Sequence, residues 1–537
     1  MTARYDAVII GGGHNGLVAA FYLARAGLRT LVLERRGIVG GACITESPWP
    51  GYRVPTAAYV LSLLRPVVLR DMKLSERGLQ VDPIDPPGFN LYPNGRHLYF
   101  HDDTQRTYDE IARFSKRDAE AYVTMEADLE RVGDFLGPLF DSTPPDPRLH
   151  RLGDLLGLLR LGTRAFRFRN SLLDVARLFS TSARQFLEER FETEEVKSVL
   201  AWEALNNSSA GPSTPGTAYL LLHEHVGEGA ATASGGWGFV RGGMGRVTEL
   251  MAEAAREAGA EIRTGAEVER IITRNGCVSG VALQGGEEVA ARIVLSNADP
   301  KRTFLGLVEA KVLDEDFLSA IRRYRCEGTS IKINLAVAEL PRFNGLPGTG
   351  VQPYHRSMIG INPGMEDLER GANDVKLGIP TSEPHVELCI PTIYDPSLAP
   401  PGKHIIVMDA VCQPYGLREG SWDQIREKVA DNLIHYLARY IPNLPGSILH
   451  RQILDPLVVE RDLYMTGGHH LHGDMSPDQL FFLRPVRGYG SYRTPVRGLY
   501  MCGAGTHPGG SVNGANGRNC AREVLWDRRV GLLRRAG

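Results

Sequence analysis

Cysteine is scarce. The 537 residues contain seven, at Cys43, Cys277, Cys326, Cys389, Cys412, Cys502 and Cys520. No two form a C-x-x-C pair and none has a partner at zinc-ligand spacing, which argues against a dithiol redox motif and a structural zinc module. An odd, scattered set in a long chain also argues against a disulfide framework and for a reducing, cytoplasmic setting. Net charge is slight, −2 at pH 7, so nothing steers the whole molecule toward nucleic acid. No basic stretch leading into an apolar one marks a secretory signal. No apolar run approaches the ~20 residues of a membrane span, and VLSLLRPVVL at 60–69 is cut by Arg65 and Pro66. Internal repeats and Pro/Ser-rich linkers are also lacking. A chain of this length exceeds what one core usually holds, so two interleaved domains are expected.

Glycine is plentiful, 60 residues, and two clusters of it stand out. Residues 5–36 read YDAVIIGGGHNGLVAAFYLARAGLRTLVLERR. Tyr5 to Ile10 has the make-up of a buried parallel strand. Gly11, Gly13 and Gly16 follow in GxGxxG spacing, then Leu17, Ala20, Phe21 and Ala24 at helical spacing. Gly27 is placed to end that helix. Arg29 to Leu33 reads as a second strand, and Glu34 ends it. Gly11 suits the tight turn, Gly13 lets a diphosphate approach the backbone, and Gly16 lets helix and strand pack closely. The helix N-terminus offers free N–H groups to phosphate. Glu34 suits a ribose hydroxyl and would repel a 2′-phosphate, which disfavours NADP. Gly40 and Gly41 in GIVGGACIT follow Glu34 by six and seven residues, and an acid followed by such a pair resembles the extended signature of FAD-binding flavoproteins. Cys43 stands alone there, so it is read as a small buried residue.

The second cluster is GAGTHPGGSVNGANG at 503–517, where six of fifteen residues are glycine. With its flanks it reads as a strand at Leu499–Cys502, a glycine loop, and a helix from about Val512 with Asn513 in its first turn. Such a helix start can stabilise negative charge on a reduced flavin, with Gly514 and Gly517 allowing close approach to the ring. An ordinary structural loop is the competing reading.

The run TGGHHLHGDMSPDQLFFLRPVRGYGSYRTPVRGLYMCGAGTHPGGSVNGANGRN resembles the phytoene desaturase-like branch of the FAD-dependent amine oxidase superfamily. GGWGFVRGGMGRVTELMAEAAREAGAEIRTGAEVERI at 235–271 and ARIVLSNADP at 291–300 resemble its central segments. The resemblance covers essentially the whole chain. It implies an α/β fold (α+β overall): a Rossmann-type FAD-binding domain assembled from 1–70, 235–310 and 485–537, and a mixed sheet-and-helix substrate domain from 71–234 and 311–484. The expected cofactor contacts are Gly11, Gly13, His14, Asn15, Gly16, Glu34, Arg35, Gly40, Gly41, Ala42, Val268, Asn297, Gly503, Ala504, Gly505, Ser511, Val512 and Asn513. Val268 would lie against the adenine. Covalent-flavin relatives carry a cysteine where this chain has Gly503-Ala504-Gly505-Thr506-His507, so FAD is expected to be noncovalent. His469 and Ser511 depart from the residues many relatives carry, so the substrate does not transfer from them.

Hydride transfer to a flavin needs little acid–base help, and no catalytic triad is expected. His507 and His469 are the candidates for proton handling; a histidine tied to backbone is the other reading of His507, while His469, His470 and His472 read as pocket lining or as a solvent-facing loop. His469, His470 and His472 lack a carboxylate pair or cysteine at ligand spacing, so no metal is expected, and HEH at 223–225 is not HExxH. Trp237 and Tyr394 are candidate pocket aromatics. The implied activity is dehydrogenation or double-bond isomerisation of a lipophilic or amphipathic small molecule, with oxygen or a quinone as electron acceptor. Oxidation of a C–N bond, or non-enzymatic binding of the Rab GDP-dissociation inhibitor type, are the alternatives. RLGDLLGLLRLGTRAFRFRN at 151–170 and the tail REVLWDRRVGLLRR are basic and amphipathic. They suit peripheral contact with the inner face of a membrane, or a homo-oligomer contact.

Overall fold

The computed structural model describes residues 4–149, 152–168, 172–205, 209–222 and 236–533; the histidines at 223–225 lie outside these. The first strand, β1 (Arg4–Ile10), leads into α1 (His14–Arg25) and β2 (Thr30–Leu33). Gly27 ends α1 with φ +80°, its N–H donating to Ala24 O at 2.8 Å. β1 pairs in parallel with β2 on one edge and with Glu288–Ser296 on the other. Glu261–Arg263 lies beyond β2, and Leu499–Met501 pairs with Glu288–Ser296. Strands from the beginning, middle and end of the chain thus lie in one sheet.

Both faces of that sheet are covered, as a parallel sheet requires. Ala7 and Ile9 of β1 enter a cluster with Leu17 and Leu23 of α1, Leu250 of helix Gly245–Glu257 and Val524 of helix Ala515–Arg529. Tyr5, Val8 and Ile10 face the other way, onto the antiparallel pair Val268–Arg274 and Cys277–Leu283 and onto Phe317 and Ile321.

A second, seven-stranded sheet runs in the order Ile448–Leu454, Ser330–Val337, His404–Val411, Val386–Cys389, Met358–Ile361, Gly88–Leu91, His97–Phe100. Only Met358–Ile361 and Gly88–Leu91 pair in parallel. Ile331, Ile333, Leu335 and Val337 share a core cluster with Trp422, Leu433 and Leu437 of helix Trp422–Ala438. Side chains alternate along a strand, so Ser330, Lys332 and Asn334 face the opposite way. A helical layer that includes Lys116–Phe140 and Glu194–Glu203 packs around Leu129, Phe135, Phe186 and Leu200. No helix among the described residues is long and apolar enough to cross a membrane.

The last helix begins later than its sequence suggests, at Ala515 rather than Val512. Ser511 and Gly514 sit at φ +71° and +75°, left-handed conformations that a right-handed helix excludes. Asn513 therefore precedes the helix, and its Oδ1 accepts from Ala515 N at 2.7 Å. The later glycines serve packing between elements. A Cβ at Gly517 would lie 2.0 Å from Asn15 O of α1, and one at Gly514 would meet Val68 and Val18.

Candidate functional site

A cavity of about 570 Å³ lies between the parallel sheet and the inner face of the second sheet. The turn from β1 to α1 forms one wall. Gly13 caps α1 without any side-chain acceptor, leaving the first N–H groups of the helix available to an anion. Glu34 braces the turn: Oε2 accepts from Gly12 N and Oε1 from Arg36 N, both at 2.8 Å. Asn297 Nδ2 donates to Gly11 O at 3.3 Å. A Cβ on Gly13 would stand 2.9 Å from that amide, and one on Gly16 only 2.2 Å from Gly11 O. Cys43 is a buried residue of the cavity lining, its thiol donating to Met244 O at 3.3 Å, and burial pushes its pKa up to about 12.

Four buried nitrogens on residues lining this cavity lack any hydrogen-bond partner: His14 Nε2, Arg36 Nη1, Arg302 Nε and His472 Nδ1. Unmade hydrogen bonds cost about 1–3 kcal/mol each when buried, more for charged groups. The cluster therefore fits a ligand that brings acceptors, and a dinucleotide diphosphate is such a ligand. Tyr464 lies between Arg35 and Arg302, 3.7 and 4.1 Å from its ring, and donates to Glu267 Oε1 at 2.9 Å.

Of the expected cofactor contacts, Gly11, Gly13, His14, Asn15, Glu34, Arg35, Gly40, Gly41, Ala42, Val268, Asn297, Ala504, Ser511 and Val512 line the cavity. Gly16, Gly503, Gly505 and Asn513 lie behind its wall, where Cβ atoms on Gly503 and Gly505 would approach Asn297 O to 2.6 Å and Pro300 Cδ to 2.4 Å. Trp237 lines the cavity. Tyr394 does not, donating instead to Arg356 O at 2.6 Å and packing on Phe239.

The histidines separate. His507 is buried away from the cavity, its Nε2 2.9 Å from Leu139 O, and burial lowers its pKa to about 4. His469 is also behind the wall, with Nε2 3.2 Å from Asp474 Oδ1 and Nδ1 accepting from Leu471 N. Both are tied into structure. His470 and His472 line the cavity, and burial lowers them to about 3 and about 4. No group of three or more potential metal ligands occurs among the described residues.

The opposite wall holds residues that the motifs do not reveal. Antiparallel register places Lys332 opposite Asp409, and Asp409 opposite Glu387. Lys332 Nζ donates to Pro55 O, Thr56 O and Ala57 O at 2.6, 2.9 and 2.7 Å. Burial lowers its pKa to about 7. Asp409 receives a hydrogen bond from Ser330, burial raises its pKa to about 6, and its Oδ1 has no partner. Tyr59 donates to Glu387 Oε1 at 2.5 Å, and its pKa is pushed well up by burial first and by the neighbouring carboxylates. The signal was present in SIKINLAV and HIIVMDAV: a charged residue inside an apolar strand points to a buried charge with a task.

Comparison with known proteins decides the family. The model of flavin containing amine oxidoreductases matches residues 16–525. The chain belongs to this flavoprotein family. It is 40% identical to mouse (Mus musculus) pyridine nucleotide-disulfide oxidoreductase domain-containing protein 2, covering 98% of this chain and 94% of that one. It is 29% identical to one of the limonene dehydrogenase chains of Castellaniella defragrans, over 97% and 94% of the two proteins. A lycopene-forming phytoene desaturase of Pseudescherichia vulneris is 27% identical, over 94% and 96%. Cyclohexylamine oxidase from Brevibacterium oxydans shares the fold, with TM-score 0.57 and 17% identity over 99% and 100% of the chains.

Family membership makes this an oxidoreductase with FAD as cofactor, rather than a flavin-free binding protein. The cavity suits that group. Its glycine turn and unpartnered nitrogens match the acceptors of a dinucleotide, and its second wall carries the ionisable side chains Lys332 and Asp409. The name of the mouse relative suggests a disulfide, yet Cys43 is a single buried thiol and every described cysteine is free.

Proposed function

We propose that this protein uses noncovalent FAD to dehydrogenate or isomerise a C–C bond of an apolar or amphipathic molecule. The observation that carries the reading is Asp409. Its unpartnered Oδ1 belongs to a wall that also includes Leu220, Trp237, Leu454, Leu471 and Met475. Forming a double bond removes a hydride from one carbon and a proton from its neighbour. The flavin supplies the hydride acceptor when bound, and oxygen or a quinone restores it. Asp409, held near the operating pH by burial, takes the proton. Lys332 fixes the 55–57 segment, and with it Tyr59, over the same wall. In isomerisation Asp409 returns the proton to a different carbon, and no net acceptor is consumed.

The dehydrogenase and desaturase relatives favour this reading over C–N oxidation. So does the lining: its aromatic residues are Tyr59, Trp237 and Tyr464, and Tyr464 is held between arginines. The test is anaerobic mixing of the FAD-loaded protein with lipophilic alkenes and with amines, following loss of the visible flavin absorbance. The expected result is bleaching by the former with a product lighter by two hydrogens, or an isomer without bleaching. Asp409→Asn should slow either by about 10²–10⁴-fold. Bleaching by amines alone would move the assignment to amine oxidation.

A further inference from the structure

Two basic segments more than 300 residues apart in the chain meet in the fold. Helix Leu152–Arg167 and helix Ala515–Arg529 flank a groove of about 1020 Å³ over the end of helix Lys116–Phe140. Arg160, Arg164 and Arg522 line it, with Trp526 at its edge. Arg164 and Arg522 donate to Phe135 O and Asp141 O, at 2.7 and 3.1 Å. Of the two acids in the groove, Glu523 is paired with Arg493 at 2.6 Å, which leaves Asp134 against the three arginines. Arg528 and Arg529 extend the basic surface, and among the described residues none of these five arginines is in an ion pair.

The apolar stripe of the first helix does not enter the core. Leu155, Leu156 and Leu159 are 44, 49 and 59% exposed, and Trp526 and Leu532 of the second segment are 56 and 57% exposed. An amphipathic helix normally turns its leucines inward. Here leucines and tryptophan share a surface with arginines that have no carboxylate partner among the described residues, the composition of an element that lies in a lipid interface.

We propose that this face docks on a bilayer carrying anionic lipids. Leu155, Leu156, Leu159 and Trp526 enter the headgroup–acyl boundary, and Arg160 and its neighbours meet lipid phosphates. Charge selects this occupant over a second copy of the chain, because a two-fold contact through the same patch would set arginines against arginines. The inference is independent of which bond the enzyme oxidises.

Flotation of the full-length, FAD-loaded protein with vesicles tests it. One set contains phosphatidylglycerol in phosphatidylcholine, and the other phosphatidylcholine alone. The expected result is association with the anionic vesicles that weakens as salt rises. Arg160→Gln should weaken it about fivefold, and Leu159→Asp about tenfold or more. An unchanged flavin spectrum and melting temperature in both variants would show that the fold is intact. Absence of association at low salt would overturn the proposal, as would equal association with both vesicle sets. So would a vesicle-free dimer in sedimentation that Leu159→Asp dissociates.

Discussion

Gly517→Ala probes the link between the two glycine-rich ends of the chain. The added Cβ would stand 2.0 Å from Asn15 O, 2.9 Å from Asn15 C and 3.1 Å from Ala19 N, all backbone atoms of α1. Backbone cannot rotate away, so the last helix must withdraw by about 1 Å to restore contact distance. A gap of that size forfeits a quarter to a half of the dispersion energy across the interface, where Val18 and Ala19 share a cluster with Cys520, Ala521 and Val524. Overpacking of this kind costs about 1–3 kcal/mol. An unfolding entropy of about 2.1 cal/mol/K per residue over 537 residues is about 1.1 kcal/mol/K, so the melting temperature should fall by about 1–3 °C. The cofactor should feel the change more strongly. Asn15, Ser511 and Val512 line the cavity on either side of this contact, and a misplacement costing about 1.4 kcal/mol raises the FAD dissociation constant tenfold. The assay is FAD titration by fluorescence quenching, with melting curves of the apo and loaded forms. Gly137→Ala is the control: it lies within helix Lys116–Phe140 with no atom within 4 Å of the added Cβ, and should stabilise by about 0.5–1 kcal/mol. A Gly517→Ala protein with normal FAD affinity and melting temperature would refute the argument.

Arg302→Met and His472→Ala each remove an unpartnered cavity nitrogen, and each should raise the FAD dissociation constant about 10–100-fold; an unchanged constant would place the diphosphate elsewhere. His14, His385, His470, His472 and His507 have pKa values lowered by burial to about 3 or 4. The unfolded chain therefore binds more protons below the ordinary histidine value, so stability is full above about pH 6.5 and lost toward pH 4. Asp409, raised to about 6, opposes this with one proton. Melting temperature against pH should show the loss, and bound FAD should lessen it by placing phosphate near His14 and His472. In the reductive half-reaction, ionisation of Asp409 predicts a rate falling about tenfold per pH unit below its pKa; Asp409→Asn should flatten that limb.

The two ends of the cavity differ in how legible they are. The cofactor wall is built from consecutive residues, because a strand, a tight turn and a helix N-terminus must follow one another to hold a diphosphate. Gly11, Gly13, Gly16 and Glu34 therefore announce themselves as a spaced motif. The segments that join them, at Glu288–Ser296 and Leu499–Met501, are readable as apolar strands, although their pairing with β1 and with each other comes from the fold. The opposite wall follows another logic. Lys332, Asp409 and Glu387 come from three strands whose register sets them in one row, and register depends on the alternation of all three strands at once. A linear reading settles instead on His507 and His469, which lie close to the motif, and the fold gives both to main-chain and carboxylate partners behind the wall. The late start of the last helix has the same origin. Propensity allows Val512 to begin it, but the chain must first turn through left-handed residues at Ser511 and Gly514 to bring Gly517 onto α1. The final glycines thus act at a distance: by letting two helices touch, they hold the N-terminus of α1 open toward the cavity, and the first glycine motif depends on the last.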